Sequence, residues 1–244
     1  MVQLWPIFSD LEAVATALEK RKGFERVSRI LKQALFHKSC VSDIAQVLGC
    51  AEALQALREG SFQIDNALRP SVEGSLLMSA VILYARATAG TSKKGGRGSS
   101  QISAGLTNEQ RSDHDFLLQV RSRAMAHVHS RDRMGHLVWH DELLFALELA
   151  EGYWAPGAAT RSIQFDVTTL KIILRQAGVA RSILNERFQV SLAAAAKLLN
   201  DLPERDALLR KHTFDPVGKF GSEEAVAAVL RGLPKGGVTI VTQG

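Results

Sequence analysis

The chain has 244 residues, 46% of them hydrophobic, enough for one large domain or two modest ones with a proper core and no need of cross-links. Thirty Lys and Arg against 25 Asp and Glu give a net charge of +5, which favours an anionic partner such as nucleic acid without requiring one. The two cysteines, Cys40 and Cys50, form no disulfide framework, the start MVQLWPIFSDLE lacks the pattern of a signal peptide, and no stretch approaches the roughly 18 uninterrupted apolar residues of a membrane span. A soluble cytoplasmic protein with no membrane partner is expected.

In chain order, SDLEAVATALEKRKG from Ser9 has Ser9 and Glu12 at capping-box spacing and places Leu11, Val14, Ala15 and Leu18 on one face, predicting an amphipathic helix. FERVSRILKQALFHK, VSDIAQVLG and CAEALQALREG read as separate helices, the last two each closed by a glycine. Pro70 introduces SVEGSLLMSAVILYARATAG, apolar around most of its circumference and so predicted to be a buried central helix that ends at Gly90. Residues 90–105, GTSKKGGRGSSQISAG, form a glycine-rich basic loop in which Lys93, Lys94 and Arg97 are candidates to track a nucleic-acid backbone. A merely solvated loop fits these three residues equally well.

Thr107 and Gln110 then make a capping box, and helical periodicity runs on to about His129. Beyond the polar turn SRDRMG, LLFALEL and RSIQFDV alternate on either side of a turn at Pro156 and Gly157, which predicts a small β-hairpin near 143–167; a helix at 141–151 fits nearly as well. A long helical pattern returns from about Val167 to Leu202, with a bend at Gly178, and Ser222 caps a last helix. The sequence reads as one mainly α domain over 1–244, a helical bundle with N-terminal helices in 8–69 and a C-terminal helical extension in 203–244.

The densest chemistry lies in VRSRAMAHVHS, 120–130. At 100° per residue, Leu117, Val120 and Val128 fall within about 40° of Ala124, while Arg121 and His127 lie about 60° to either side of that stripe. They are about 9 Å apart along the axis, too far to converge within one helix. A second copy crossing about a two-fold axis would bring the arginine of one chain beside the histidine of the other, so a homodimer with the stripe at its interface is expected.

This segment resembles the Arg-x4-6-His signature of HEPN domains, reading here Arg121, Ser122, Arg123, Ala124, Met125, Ala126, His127. The upstream VILYARATAG resembles the helix of abortive-infection HEPN proteins that ends in a tyrosine-alanine-arginine turn, here Tyr84, Ala85 and Arg86. The resemblance covers 71–130 and departs from the usual pattern at Ser122, where asparagine or aspartate is commoner. It implies a HEPN-like core over about 71–200 and a dimeric, metal-independent endoribonuclease, the toxic part of an antiviral or toxin–antitoxin system. RNA would be its substrate, and an antitoxin or other regulatory protein a partner. Arg121 and His127 would then be catalytic, with Ser122, Arg123, Tyr84 and Arg86 auxiliary and no cofactor or metal required. The residue types suit that chemistry, because histidine exchanges a proton near neutral pH and arginine offers a fixed charged fork to phosphate.

Other readings stand beside it. A HEPN-like bundle could bind a regulatory partner, nucleic acid or nucleotide without cutting. Arg123 and His127 are also an ordinary surface pair four residues apart. His114 with Asp115, and His127, His129, His136, His140 and Asp141, suggest a metal site, but a helix puts His127 and His129 about 200° apart, and no other recognised ligand spacing appears. Nothing matches an NTP-binding P-loop.

Overall fold

The structure, a computed structural model, describes residues 5–61, 63–90, 98–125, 133, 134, 137, 138, 140–162 and 165–232. In chain order they form β1 (Phe8–Ser9), α1 (Leu11–Glu19), α2 (Glu25–Arg58), α3 (Arg69–Thr88), a 3-10 turn (Ser103–Gly105), α4 (Asn108–Gln119) and a π-helical turn (Val120–Met125). Then follow β2 (Arg133–Met134), β3 (Leu137–Val138), β4 (His140–Ala150), β5 (Tyr153–Ser162), α5 (Val167–Asn200), α6 (Arg205–Lys211), β6 (Thr213–Phe214), α7 (Pro216–Phe220) and α8 (Glu223–Gly232). The protein is mainly α with a small antiparallel hairpin, β4 with β5, as the sequence predicts, and it has two further short antiparallel pairs, β1 with β6 and β2 with β3, that the sequence does not announce. No described helix is long and apolar enough to cross a membrane.

The chain divides into two compact units, Met1–Ser42 with Asn185–Gly244, and Asp43–Leu184, so α2 and α5 each supply a part to both. In the first unit, Val14, Ala15 and Leu18 of α1 cluster with Val27 and Leu31 of α2 and Ala195 of α5. Asp10 caps α1 by accepting from the Glu12 and Ala13 amides, whereas Ser9, the cap expected from sequence, lies in β1 and donates its hydroxyl to the Leu209 carbonyl at 2.9 Å. An Asx cap one residue later satisfies the same orphan amides, which is why the helix still begins where its apolar period starts. Phe8, Phe214 and Phe220 stack around the β1–β6 pair. Ser222 caps α8 as expected, accepting from the Ala225 amide.

In the second unit α3 packs on α4 and on the π-helical turn. Leu77, Val81 and Tyr84 of α3 and Leu117 of α4 are fully or almost fully buried, as are Ile44 and Val47 of α2 and Ile173 and Leu184 of α5. The Thr107–Gln110 capping box forms as the sequence predicts. Gly90, with φ +73, turns the chain out of α3; a Cβ there would lie 2.9 Å from the Gln101 Cβ, so only glycine fits.

Two glycines do not do what their sequence positions suggest. Gly49 was expected to end a helix and Gly178 to bend one, yet α2 and α5 run through them. A glycine inside a helix costs about 1 kcal/mol relative to alanine, which long flanks of good helix formers outweigh. Neither has an atom within 4 Å of where a Cβ would stand. Gly49→Ala and Gly178→Ala should therefore each stabilise the protein by about 0.5–1 kcal/mol in urea denaturation. A loss of stability in either would show that the helix is broken there.

The hairpin forms, and it excludes the helix considered for 141–151. Its turn falls at Glu151 and Gly152, not at Pro156 and Gly157, which lie within β5 opposite Ala146 and Phe145. Gly152 has φ +76, a conformation that favours glycine, and the Glu148 carboxylate accepts from its amide at 3.1 Å.

Candidate functional site

A cleft of about 600 Å³ opens in the second unit where the end of α3 faces the end of α4. Ile82, Ala85, Arg86 and Ala89 come from α3 and its end, Gly98 and Ser99 from the segment after the basic loop, and Leu118, Arg121 and Ser122 from α4 and the π-helical turn. Ser100 donates its amide to the Ala87 carbonyl at 2.9 Å, fastening that returning segment to α3. The structure thus brings Arg86 to the same hollow as Arg121 and Ser122, 35 and 36 residues later in sequence.

Arg86 is held by a carboxylate that sequence reading did not single out. Asp43, on α2 and 4% exposed at its side chain, accepts from Arg86 Nε at 2.9 Å and from Nη2 at 2.6 Å. The two parallel bonds fix the plane of the guanidinium, and the carboxylate offsets its charge. The signal was present in VSDIAQVLG: Asp43 falls three residues after Cys40 and four before Val47, both buried, so it occupies a core position. A carboxylate there requires a cationic partner. The same logic applies to buried Glu73, which pairs with Arg58 at 3.4 Å.

Arg121 is exposed at the cleft, and among the described residues no carboxylate forms an ion pair with it. It sits in a π-helical turn, a widened i→i+5 arrangement that often marks functional sites and that ends the regular 100° stepping at Val120. The angle assigned from sequence to Arg121 therefore does not apply, and His127 lies outside the described residues. Ser122 donates its hydroxyl to the Gln119 carbonyl at 3.2 Å, which satisfies backbone inside the turn. Leu117 and Val120, two of the four residues of the expected stripe, are both 0% exposed within one chain and so pack in its core, while the side chain of Ala124 and all of Val128 lie outside the described residues.

Tyr84 does not line the cleft. It is fully buried, and its hydroxyl lies 2.9 Å from His114 Nδ1, the rings packed edge to face. Burial pushes the phenol well above its usual range, so Tyr84 is neutral and supports the core beneath the arginine turn. His127, Lys93, Lys94 and Arg97 lie outside the described residues, as does the side chain of Arg123. Arg175 pairs with Asp113, and Gln176 donates to the Gln110 carbonyl at 2.9 Å, so α5 braces the first turns of α4. Among the described residues no three His, Cys, Asp or Glu side chains are grouped to hold a metal ion.

The buried histidines carry a pH dependence. Burial lowers the pKa of His114 from 6.5, opposed by Asp115, and burial with the nearby Arg187 charge lowers that of His37, whose Nδ1 lies 2.9 Å from the Ser191 hydroxyl. Each binds a proton less readily folded than unfolded. Their contribution is complete above about pH 6.5 and is lost as pH falls through the folded values. The melting midpoint should drop between about pH 7.5 and about pH 5, and His114→Gln should shrink the drop. An unchanged drop in that variant would remove His114 from the account.

Compared with known protein families, curated proteins and solved structures, the chain matches none.

Proposed function

We propose that the chain is a metal-independent endoribonuclease of HEPN type, the effector of a toxin or abortive-infection system acting in the cytoplasm. The observation that carries this reading is the shared cleft: the arginine of the Tyr-Ala-Arg turn and the arginine of the Arg-x5-His motif line one hollow. Arg121, the uncompensated cation among the described residues there, meets the phosphate, and Arg86, held in plane by Asp43, borders it. Gly98, bonded to Arg97 of the basic segment, also lines the cleft.

In the reaction the 2′-hydroxyl oxygen attacks the adjacent phosphorus and the bond from phosphorus to the 5′-oxygen breaks. His127 takes the 2′-proton or gives one to the leaving oxygen. The products carry a 2′,3′-cyclic phosphate and a 5′-hydroxyl. A second reading, a module that binds RNA, nucleotide or a regulatory protein without cutting, is favoured by the Asp43–Arg86 pair, since offsetting one of two arginines leaves a cleft suited to holding a single phosphate. Incubating the purified protein with end-labelled single-stranded RNA in EDTA separates the two. Cleavage supports the enzyme, and a retarded but intact RNA supports the binding module.

A further inference from the structure

The β4–β5 hairpin places large apolar side chains in solvent: every residue from 142 to 149 is exposed, Leu144 to 85%. Its strands pair with each other and with no other strand among the described residues. Residues directly opposed in an antiparallel pair share a face. One face therefore carries Leu143, Phe145 and Leu147 of β4 opposite Ala159, Gly157 and Ala155 of β5, with Tyr153 at its turn end. The other carries Glu142, Leu144 and Glu148, with Trp154 opposite Glu148.

From Leu143 to Tyr153 the first face has no charge and a definite relief; the opposed pair Asp141 and Arg161 continues it at the open end of the hairpin. Large residues stand along β4 and small ones along β5, making a ridge beside a trough. Phe145 leans over Gly157, where a Cβ would come within 2.6 Å of its ring, so a larger residue there would push the ring aside. Such a surface complements itself, because a two-fold rotation lays the ridge of one copy into the trough of another. With Leu149 at the bulge beside it, the face exposes roughly 500 Å² at about 200 Å² per large side chain. Two copies would bury about 1,000 Å², the size at which a specific interface begins.

We propose that the hairpin is a dimerisation arm, whose apolar stretch from Leu143 to Tyr153 docks on the same stretch of a second copy of this chain. The stretch that docks, Leu143 to Tyr153, carries no charge, although each copy carries +5 overall. Glu142 and Glu148 stay on the outer face. This places the two-fold at the hairpin, in place of the buried Leu117 and Val120, and it does not depend on the chemistry of the cleft.

Light scattering after size exclusion of the full chain tests it. The parent should have the mass of a dimer at about 10–100 μM, and Phe145→Glu with Leu147→Glu should give a monomer of unchanged helical circular dichroism. Leu147→Lys alone should raise the dissociation constant by at least about tenfold, the effect of losing one central contact. Leu144→Glu, on the outer face, should leave the dimer intact. A monomeric parent at 100 μM, a dimer that survives the double substitution, or a dimer dissociated by Leu144→Glu would each overturn the proposal. Cleavage assays on the same samples bear on the ribonuclease reading alone.

Discussion

Arg121→Ala is expected to slow RNA cleavage by about 100- to 1,000-fold, the loss typical when one donor to developing transition-state charge is removed. Arginine stays protonated at every working pH, so its alanine variant loses a charge that no neighbour replaces. The fold should be spared: Arg121 is exposed, and substitutions at such positions shift stability by only about 0.5 kcal/mol. Initial rates on labelled RNA, set beside thermal melts of parent and variant, check both halves. A variant that cuts as fast as the parent would remove Arg121 from the chemistry. His127→Ala carries the same expectation from the motif alone.

Arg86→Ala should be the most destabilising single change at the cleft, by about 3 kcal/mol, because it leaves the Asp43 carboxylate buried without its guanidinium. The lower end of the range for broken buried pairs applies, since Arg86 is itself half exposed. For a domain stable by about 5–15 kcal/mol this is a large share. Replacing both partners, Asp43→Leu with Arg86→Met, should recover most of the loss, as apolar pairs of similar volume do in buried sites. Urea denaturation of the two variants decides it. A loss under about 0.5 kcal/mol for Arg86→Ala would mark the pair as an ordinary surface ion pair.

Features set by local chemistry were legible in the sequence. Pro70 near the start of α3, the Thr107–Gln110 box, the Ser222 cap and the long pattern from Val167 all rest on neighbours within four residues, and the structure contains each. The alternation in LLFALEL favours a strand only slightly over a helix, and Pro156 and Gly157 mislead about the hairpin turn because they look like turn residues and are tolerated in an edge strand. Arg86 and Arg121 were named from motif resemblance, and their meeting at one cleft needed the packing of α3 on α4. Asp43 and Arg86 are 43 residues apart, so only the tertiary fold identifies one as the other's partner. The π-helical turn had no compositional signature: VRSRAM has the same apolar spacing as an α-helix, and the shift to i→i+5 bonding is invisible to a 100° wheel.

The central claim is that the cleft cuts RNA through the 2′-hydroxyl without a metal. The most direct measurement is the end chemistry of fragments made by the parent protein in EDTA, compared with Arg121→Ala at equal concentration. The account predicts 2′,3′-cyclic phosphate and 5′-hydroxyl ends from the parent and almost no fragments from the variant. Fragments with 5′-phosphate ends that appear only when a divalent metal is restored, or equal cleavage by both proteins, would contradict it.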